Sequence, residues 1–191
     1  ICATGSPAIS NSVTMTVNPL LRVSVSITAS ASEVCAGTAV SYTAVPVNGG
    51  PAPAYQWKVN ANNVSNANNA TYTYVPQDND VVTCELTSNA ICATGNPAIS
   101  NSLTMTVNPL LPVSVSITAS ASEVCAGTMV NYTASPVNGG TAPAYQWKVN
   151  AMNVNNANNA MFEYVPQDDD VVTCEVTSNA ICATGSPAIS N

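Results

Sequence analysis

Along most of the chain, apolar and polar residues alternate one for one. That is the period of a strand with one face in a core and one in water. Val23, Val25 and Ile27 alternate with Ser24, Ser26 and Thr28, and Val40, Tyr42 and Ala44 repeat the pattern after Ala36-Gly37-Thr38. Asn48-Gly49-Gly50-Pro51 reads as a turn. Tyr55, Trp57 and Val59 then share one face, with Gln56 and Lys58 on the other. Tyr72 and Tyr74 form a further inward pair between Thr71 and Thr73. Val82, Cys84 and Leu86 face inward and Thr83 and Glu85 outward, and a long loop, Ser88–Ser100, leads to Leu103, Met105 and Val107. No stretch carries a helical period. About seven short strands in one such block predict an all-β sandwich.

The block repeats. Ile1-Cys2-Ala3-Thr4-Gly5 returns at Ile91 and at Ile181, a period of 90 residues, and residues 1–90 align on 91–180 without a gap and with 14 differences. The differences respect the phase of the strands: Tyr72 becomes Phe162 on the inner face, while Thr73 becomes Glu163 on the outer one. A period of 90 residues exceeds a solenoid unit and matches one independent domain. With Asn18-Pro19 and Asn108-Pro109 read as linkers, residues 19–108 are one complete repeat. Residues 1–18 are then the last loop and strand of a preceding repeat, and 109–191 a repeat without its last strand. Two origins fit that phase. The sequence is a window on a longer array, or Asn11–Val17 of one chain supplies the missing strand of another.

Composition narrows the class. Charged residues make up 7% of the chain, against roughly 25% in an average domain. There is no His, the cations are Arg22, Lys58 and Lys148, and the net charge is −7. A nucleic-acid partner needs a basic face and an anionic membrane needs the same, so neither is expected. No apolar run approaches the ~20 residues of a membrane span, so no membrane insertion is expected. Without His there is no catalytic triad, and no glycine-rich phosphate loop occurs, so the chain reads as a protein other than an enzyme. Seven cysteines without a CxxC pair or His argue against zinc and for disulfides in an oxidising compartment.

The residues of the inner faces carry a resemblance. Gly37-Thr38-Ala39-Val40-Ser41-Tyr42-Thr43-Ala44 is similar to the second strand of an immunoglobulin domain, Trp57 follows 13 residues later, and Asp78, Asp80, Val82 and Cys84 occupy the positions of its sixth strand. Trp57, Trp147, Tyr42 and Tyr132 are then expected in the cores. The chain departs from the pattern at Ala44, where the usual cysteine partner of Cys84 would stand. Cys84 and its counterpart Cys174 are therefore expected as buried thiols beside Trp57 and Trp147. The disulfide candidates left are Cys35, Cys92, Cys125 and Cys182. Cys35–Cys92 comes first; it would close a loop of 58 residues and contribute roughly 4 kcal/mol. It requires Ser88–Ser100 to fold back along the sandwich, because the two cysteines start from opposite ends. Cys35–Cys182, between neighbouring repeats, and Cys35–Cys84 stay open.

Over its whole length the chain also resembles the Ig-like or PKD-like tandem repeats of very large surface proteins of gliding Bacteroidota. The matching segments are Val34-Cys35-Ala36-Gly37-Thr38, Tyr55-Gln56-Trp57-Lys58-Val59-Asn60 and Asp80-Val81-Val82-Thr83-Cys84 through Ile91-Cys92-Ala93-Thr94-Gly95. The resemblance implies export by type IX secretion and a place in a surface stalk or adhesin. Its partners would be neighbouring repeats of the same polypeptide or identical chains in a fibre; the ligand at the tip is not named by these residues. An alternative is a binding module, with the Asn-rich loops Asn60–Asn69 and Asn150–Asn159 offering amides to carbohydrate or protein. No cofactor is expected beyond one candidate: calcium at the junction, held by Glu33, Asp78, Asp80 and Asn108 and, one repeat on, by Glu123, Asp168 and Asp170. An ordinary Asx turn explains the same acids.

Overall fold

A computed structural model describes Gly5, Pro7 and residues 9–191. Cys2, assigned above to a preceding repeat, lies outside the described residues. The chain divides into two compact units, one of Ile1–Thr28, Tyr42–Tyr72 and Val82–Leu103, the other of Ala29–Ser41, Thr73–Val81 and Thr104–Asn191. The Asn108-Pro109 linker thus falls inside the second unit. Among the described residues there is no helix.

The chain is an immunoglobulin-like β-sandwich protein. In the first repeat, Ser24–Ala29, Val40–Val47 and Thr71–Tyr74 form one sheet. Ala98–Ile99, Val81–Thr87, Ala54–Val59 and Asn62–Asn63 form the other, with Leu103–Thr104 also paired to Val81–Thr87. The second repeat builds Ser114–Ala119, Val130–Val137 and Met161–Tyr164 against Met152–Asn153, Ala144–Val149, Val172–Thr177 and Ala188–Ile189. Alternation sets the burial. Val25, Ile27, Val40, Tyr42, Trp57, Val82, Cys84 and Leu86 are buried, as are Val115, Ala134, Trp147, Phe162, Cys174 and Val176 in the second repeat.

Each core turns on its tryptophan. Trp57 stands opposite Cys84 across the sheet, with the Tyr42 and Tyr72 ring centroids 6.1 and 5.7 Å away. The Trp57 indole N–H donates to Asn69 O at 2.9 Å, so its polar edge is satisfied while the ring is fully buried. Trp147 repeats the arrangement with Asn159 O, Tyr132 and Phe162.

The Ser88–Ser100 segment differs from the expected loop. Ala93–Thr94 pairs in parallel with Leu21–Arg22, and Ala98–Ile99 pairs with Val81–Thr87. The Asn96 side chain brackets Ser88, accepting from its N–H and donating to its carbonyl. A backbone of this length laid against a sandwich must find partners for its own polar groups, and it does so by pairing.

Trp57→Ala removes the ring that both sheets enclose. We expect a loss of about 3–5 kcal/mol, read as a lower urea midpoint by tyrosine fluorescence or far-ultraviolet circular dichroism.

Candidate functional site

The distinctive geometry lies where the first repeat passes into the second, within the second compact unit. Thr106–Asn108 pairs in parallel with Glu33–Cys35, placing Val107 beside Val34 and Asn108 beside Cys35. Just before it, Met105 is 1% exposed. Its N–H donates to Asp80 O and its carbonyl accepts from Asn79 N–H, both at 2.9 Å. Asp78 Oδ1 accepts Val107 N–H at 2.9 Å, and Asn108 Nδ2 donates to Glu33 Oε1 at 2.7 Å. The strand is therefore held on both flanks. Ala36 N–H donates to Asn108 O at 2.8 Å, and across the linker Leu111 N–H donates to Cys182 O at 2.9 Å. One cysteine is thus fixed at each end of a short linker. Cys35 and Cys182 form a disulfide, with Cα atoms 5.5 Å apart.

The expected Cys35–Cys92 bridge is not formed. Leu21 N–H donates to Cys92 O, which fixes Cys92 ahead of the strand Ser24–Ala29, whereas Cys35 follows that strand. Six residues of strand span roughly 20 Å, and a disulfide needs Cα atoms within about 7 Å. Cys35–Cys84 is excluded as well, because Cys84 is a buried free thiol in the sheet. The pairing found joins cysteines 147 apart in sequence, a closure worth roughly 5 kcal/mol of chain entropy. Cys92 and Cys125, expected among the bridged cysteines, are free thiols, half-buried and exposed respectively. Burial in the sandwich, opposed by a hydrogen bond with the Gln56 backbone and reinforced by the Glu85 charge, pushes the Cys84 thiol up to about 11. Burial likewise pushes Cys174 up to about 11.

The junction acids face protein donors. Asp78 takes Val107 N–H and Asn79 Nδ2; Asp80 Oδ2 takes Gln77 N–H at 2.8 Å and the Tyr74 hydroxyl at 3.2 Å. Asp170 takes Gln167 N–H, the Tyr164 hydroxyl and Asn150 Nδ2, which hold its carboxyl below the usual carboxylate range. Among the described residues no three His, Cys, Asp or Glu side chains converge in a group that could hold a metal. Glu33 and Asn108 meet each other, while Glu123, Asp168 and Asp170 line a groove.

The Asn-rich loops are organised around tryptophan. Asn60 and Ala61 have φ of 51° and 64° and join Ala54–Val59 to Asn62–Asn63 in a two-residue hairpin, a left-handed turn that Asn tolerates well. Trp57 N–H donates to Ala67 O, its carbonyl accepts from Val64 N–H, and Gln56 Nε2 donates to Val64 O. Several backbone groups of the loop are thereby committed to the core. In the second repeat the shallow groove along Val154–Glu163 holds Phe162 at 9% exposure, too covered to stack a sugar ring.

A larger groove, about 640 Å³, runs between Ala121–Gly127 and Val165–Asp170, floored by Val130 and Tyr132. Its walls are the counterparts, one repeat on, of the segments that hold Met105 and Thr106–Asn108. Here they are open: Tyr42 is fully buried but Tyr132 half-buried, and Val124 is 36% exposed. Asn101 is a residue whose part could not be read from alternation. Its amide clasps Ile27, accepting from the N–H at 2.8 Å and donating to the carbonyl at 3.2 Å.

Scans against protein-family models and curated proteins find no match. Among solved structures the chain is similar to three N-terminal domains of the highly immunogenic outer capsid protein of bacteriophage RB49 (16% identity over 83% of this chain and 55% of that one, TM-score 0.40). It is also similar to the ectodomain of mouse nectin-like molecule 4 (15% identity over 85% and 65%, TM-score 0.34). A third likeness is to the fibronectin(III)-like modules of Clostridium thermocellum CbhA (14% identity over 86% and 89%, TM-score 0.34). The chain spans 55% and 65% of the length of the first two.

Two outcomes are expected. Iodoacetamide at pH 8 on the native protein labels Cys92 and Cys125 and spares Cys84 and Cys174, whose thiols stay protonated and covered; mass mapping reads this directly. Asp170 has a lowered native pKa, so its contribution is complete above its ordinary value of 3.8 and is lost as pH falls through the native value. Asp170→Asn therefore lowers the urea midpoint at pH 7 and has a smaller effect at pH 2.

Proposed function

We propose that this chain is a strut: tandem sandwich repeats that extend an extracellular stalk or surface filament and bear tension along it. The observation that carries the reading is the Cys35–Cys182 bridge across the Asn108–Leu111 linker. A disulfide of this kind belongs to an oxidising compartment, which agrees with an extracellular setting. No helix among the described residues is long and apolar enough to cross a membrane. The resemblance to repeats of gliding Bacteroidota would make the stalk that of a surface adhesin exported by type IX secretion.

The geometry suits the task. With the bond intact, force applied at the two ends runs through Cys35–Cys182 and bypasses the closed loop; with the bond reduced it meets the parallel ladder of Thr106–Asn108 on Glu33–Cys35, whose bonds lie across the strand direction and share a load applied along it. Residues 36–181 are therefore locked against extension while the bond is intact. Near-identity of the repeats suits a spacer, which needs length and strength from every unit alike. A carbohydrate-binding role draws less support, because the Asn-rich loops commit backbone groups to Trp57 and Trp147 and no ring is exposed in the groove beside Phe162.

Single-molecule pulling from the two ends tests this. A chain extends by at most about 3.5 Å per residue. With the bridge intact only the 45 residues outside the closed loop can extend, roughly 150 Å. After reduction the whole chain of 191 residues is free, roughly fourfold more. Equal contour lengths before and after reduction would contradict the strut.

A further inference from the structure

We propose that Asn48 and Asn138 are sites of hydrolytic deamidation, that the turns holding them restrain the reaction in the folded protein, and that conversion unties those turns. The modifying reagent is water, and the proposal does not depend on the strut reading.

The first observation is the dipeptide. Asn48-Gly49 and Asn138-Gly139 are the two Asn-Gly pairs of the sequence. An Asn side chain cyclises fastest onto the next backbone nitrogen when that residue carries no side chain to obstruct it and its backbone is free to turn. The fold demands both members of the pair. Asn48 and Asn138 have φ of 56° and 55°, in the left-handed region that Asn tolerates better than most side chains. That conformation alone does not call for a following glycine: Asn60, Asn66, Asn150 and Asn156 share it, and each is followed by Ala. Gly49 is there for room. A Cβ on it would lie 3.2 Å from the Cβ atoms of Pro46 and Pro53, and one on Gly139 would lie 3.1 Å from Pro136 Cβ and 3.3 Å from Pro143 Cβ. Packing thus fixes a labile pair at the same place in each repeat.

The second observation is the use made of the amide. Asn48 Nδ2 donates to Arg22 O and Asn138 Nδ2 to Pro112 O, both at 2.7 Å. The backbone carbonyls of the same two residues accept from the Ser88 and Ser178 hydroxyls, again at 2.7 Å. Gly49 and Gly139 are buried, and their carbonyls accept from the N–H groups of Asn89 and Asn179. The side chain therefore holds the strand Leu21–Arg22, or Leu111–Pro112, against the turn. It cannot swing onto the glycine nitrogen without giving up that bond, and the nitrogen is covered.

The chemistry needs nothing but water. Gly49 N gives its proton to hydroxide and attacks Asn48 Cγ. The Cγ–Nδ2 bond breaks, and Nδ2 takes a proton from water and leaves as ammonia. Water then opens the five-membered imide at either carbonyl, giving aspartic or isoaspartic acid. Each site consumes one water, releases one ammonia and gains one negative charge. The donor to Arg22 O or Pro112 O is gone, and a carboxylate faces that carbonyl in its place. The isoaspartyl product also adds a methylene to the backbone of the turn.

The test holds the 191-residue protein at pH 8, folded and in parallel unfolded in guanidinium, and follows each Asn by peptide mapping. Mass spectrometry reads the conversion, and electron-transfer fragmentation tells isoaspartate from aspartate. In the unfolded chain Asn48 and Asn138 should convert ahead of every other Asn. In the folded protein both should slow by roughly fivefold or more, the factor that one hydrogen bond of ordinary strength commands. Ser88→Ala removes one tie of the first turn and should speed conversion at Asn48 alone, with Asn138 in the unchanged second repeat as the reference. Asn48→Asp builds in the product and should lower the urea midpoint. Equal rates in folded and unfolded protein would overturn the proposal, as would unfolded chains in which other asparagines react first. So would Ser88→Ala that leaves Asn48 unchanged or speeds both sites alike, or an Asn48→Asp midpoint equal to that of the parent.

Discussion

The pairing of Thr106–Asn108 on Glu33–Cys35 is the constraint from which the rest follows. It is a short ladder, and its bonds are individually modest. What matters is the register. By setting Asn108 beside Cys35, it delivers the chain into the linker at the one place where a cysteine of the first repeat waits. The second repeat then docks Leu111 on Cys182, and the two sulfurs meet. A slip of one residue would turn Val107 from the core and carry Cys35 away from the linker. Register, core packing and covalent closure are one decision here.

The sandwich is legible in the alternation alone. That pattern places Val25, Ile27, Val40, Tyr42, Trp57, Val82, Cys84 and Leu86 inside, and all are buried. The exchange of Tyr72 for Phe162 reports a covered side chain, and Phe162 is 9% exposed. The disulfide partner is harder to read. Cysteine spacing is blind to which end of a strand a residue occupies, and that alone separates Cys92 from Cys182 as the partner of Cys35. The opposed starting ends of Cys35 and Cys92 are the physical signal, and they outweigh the apparent neatness of pairing within a repeat. The Ser88–Ser100 segment misleads for a related reason. Its short strands Ala93–Thr94 and Ala98–Ile99 are two residues each, below the length at which alternation can be recognised.

The Asn-rich stretches serve the backbone as well as offering amides. Amides in number suggest a sugar site, yet several of these positions answer a backbone demand. Asn60, Asn66, Asn150 and Asn156 all sit at positive φ, where Asn is among the few side chains tolerated. The acids of the junction are similar. Asp80 and Asp170 cap the turn before a strand and bind the hydroxyl of Tyr74 or Tyr164, a structural use that their spacing alone does not distinguish from a ligand set.

The account stands on the covalent connection between the end of one repeat and the body of the next. Digestion of the monomer without reduction, after free thiols are blocked in denaturant, reads that connection directly by mass spectrometry. The peptide bearing Cys35 should be recovered joined to the peptide bearing Cys182. Recovery of Cys35 joined to Cys92, or of Cys35 blocked as a free thiol, would contradict the account.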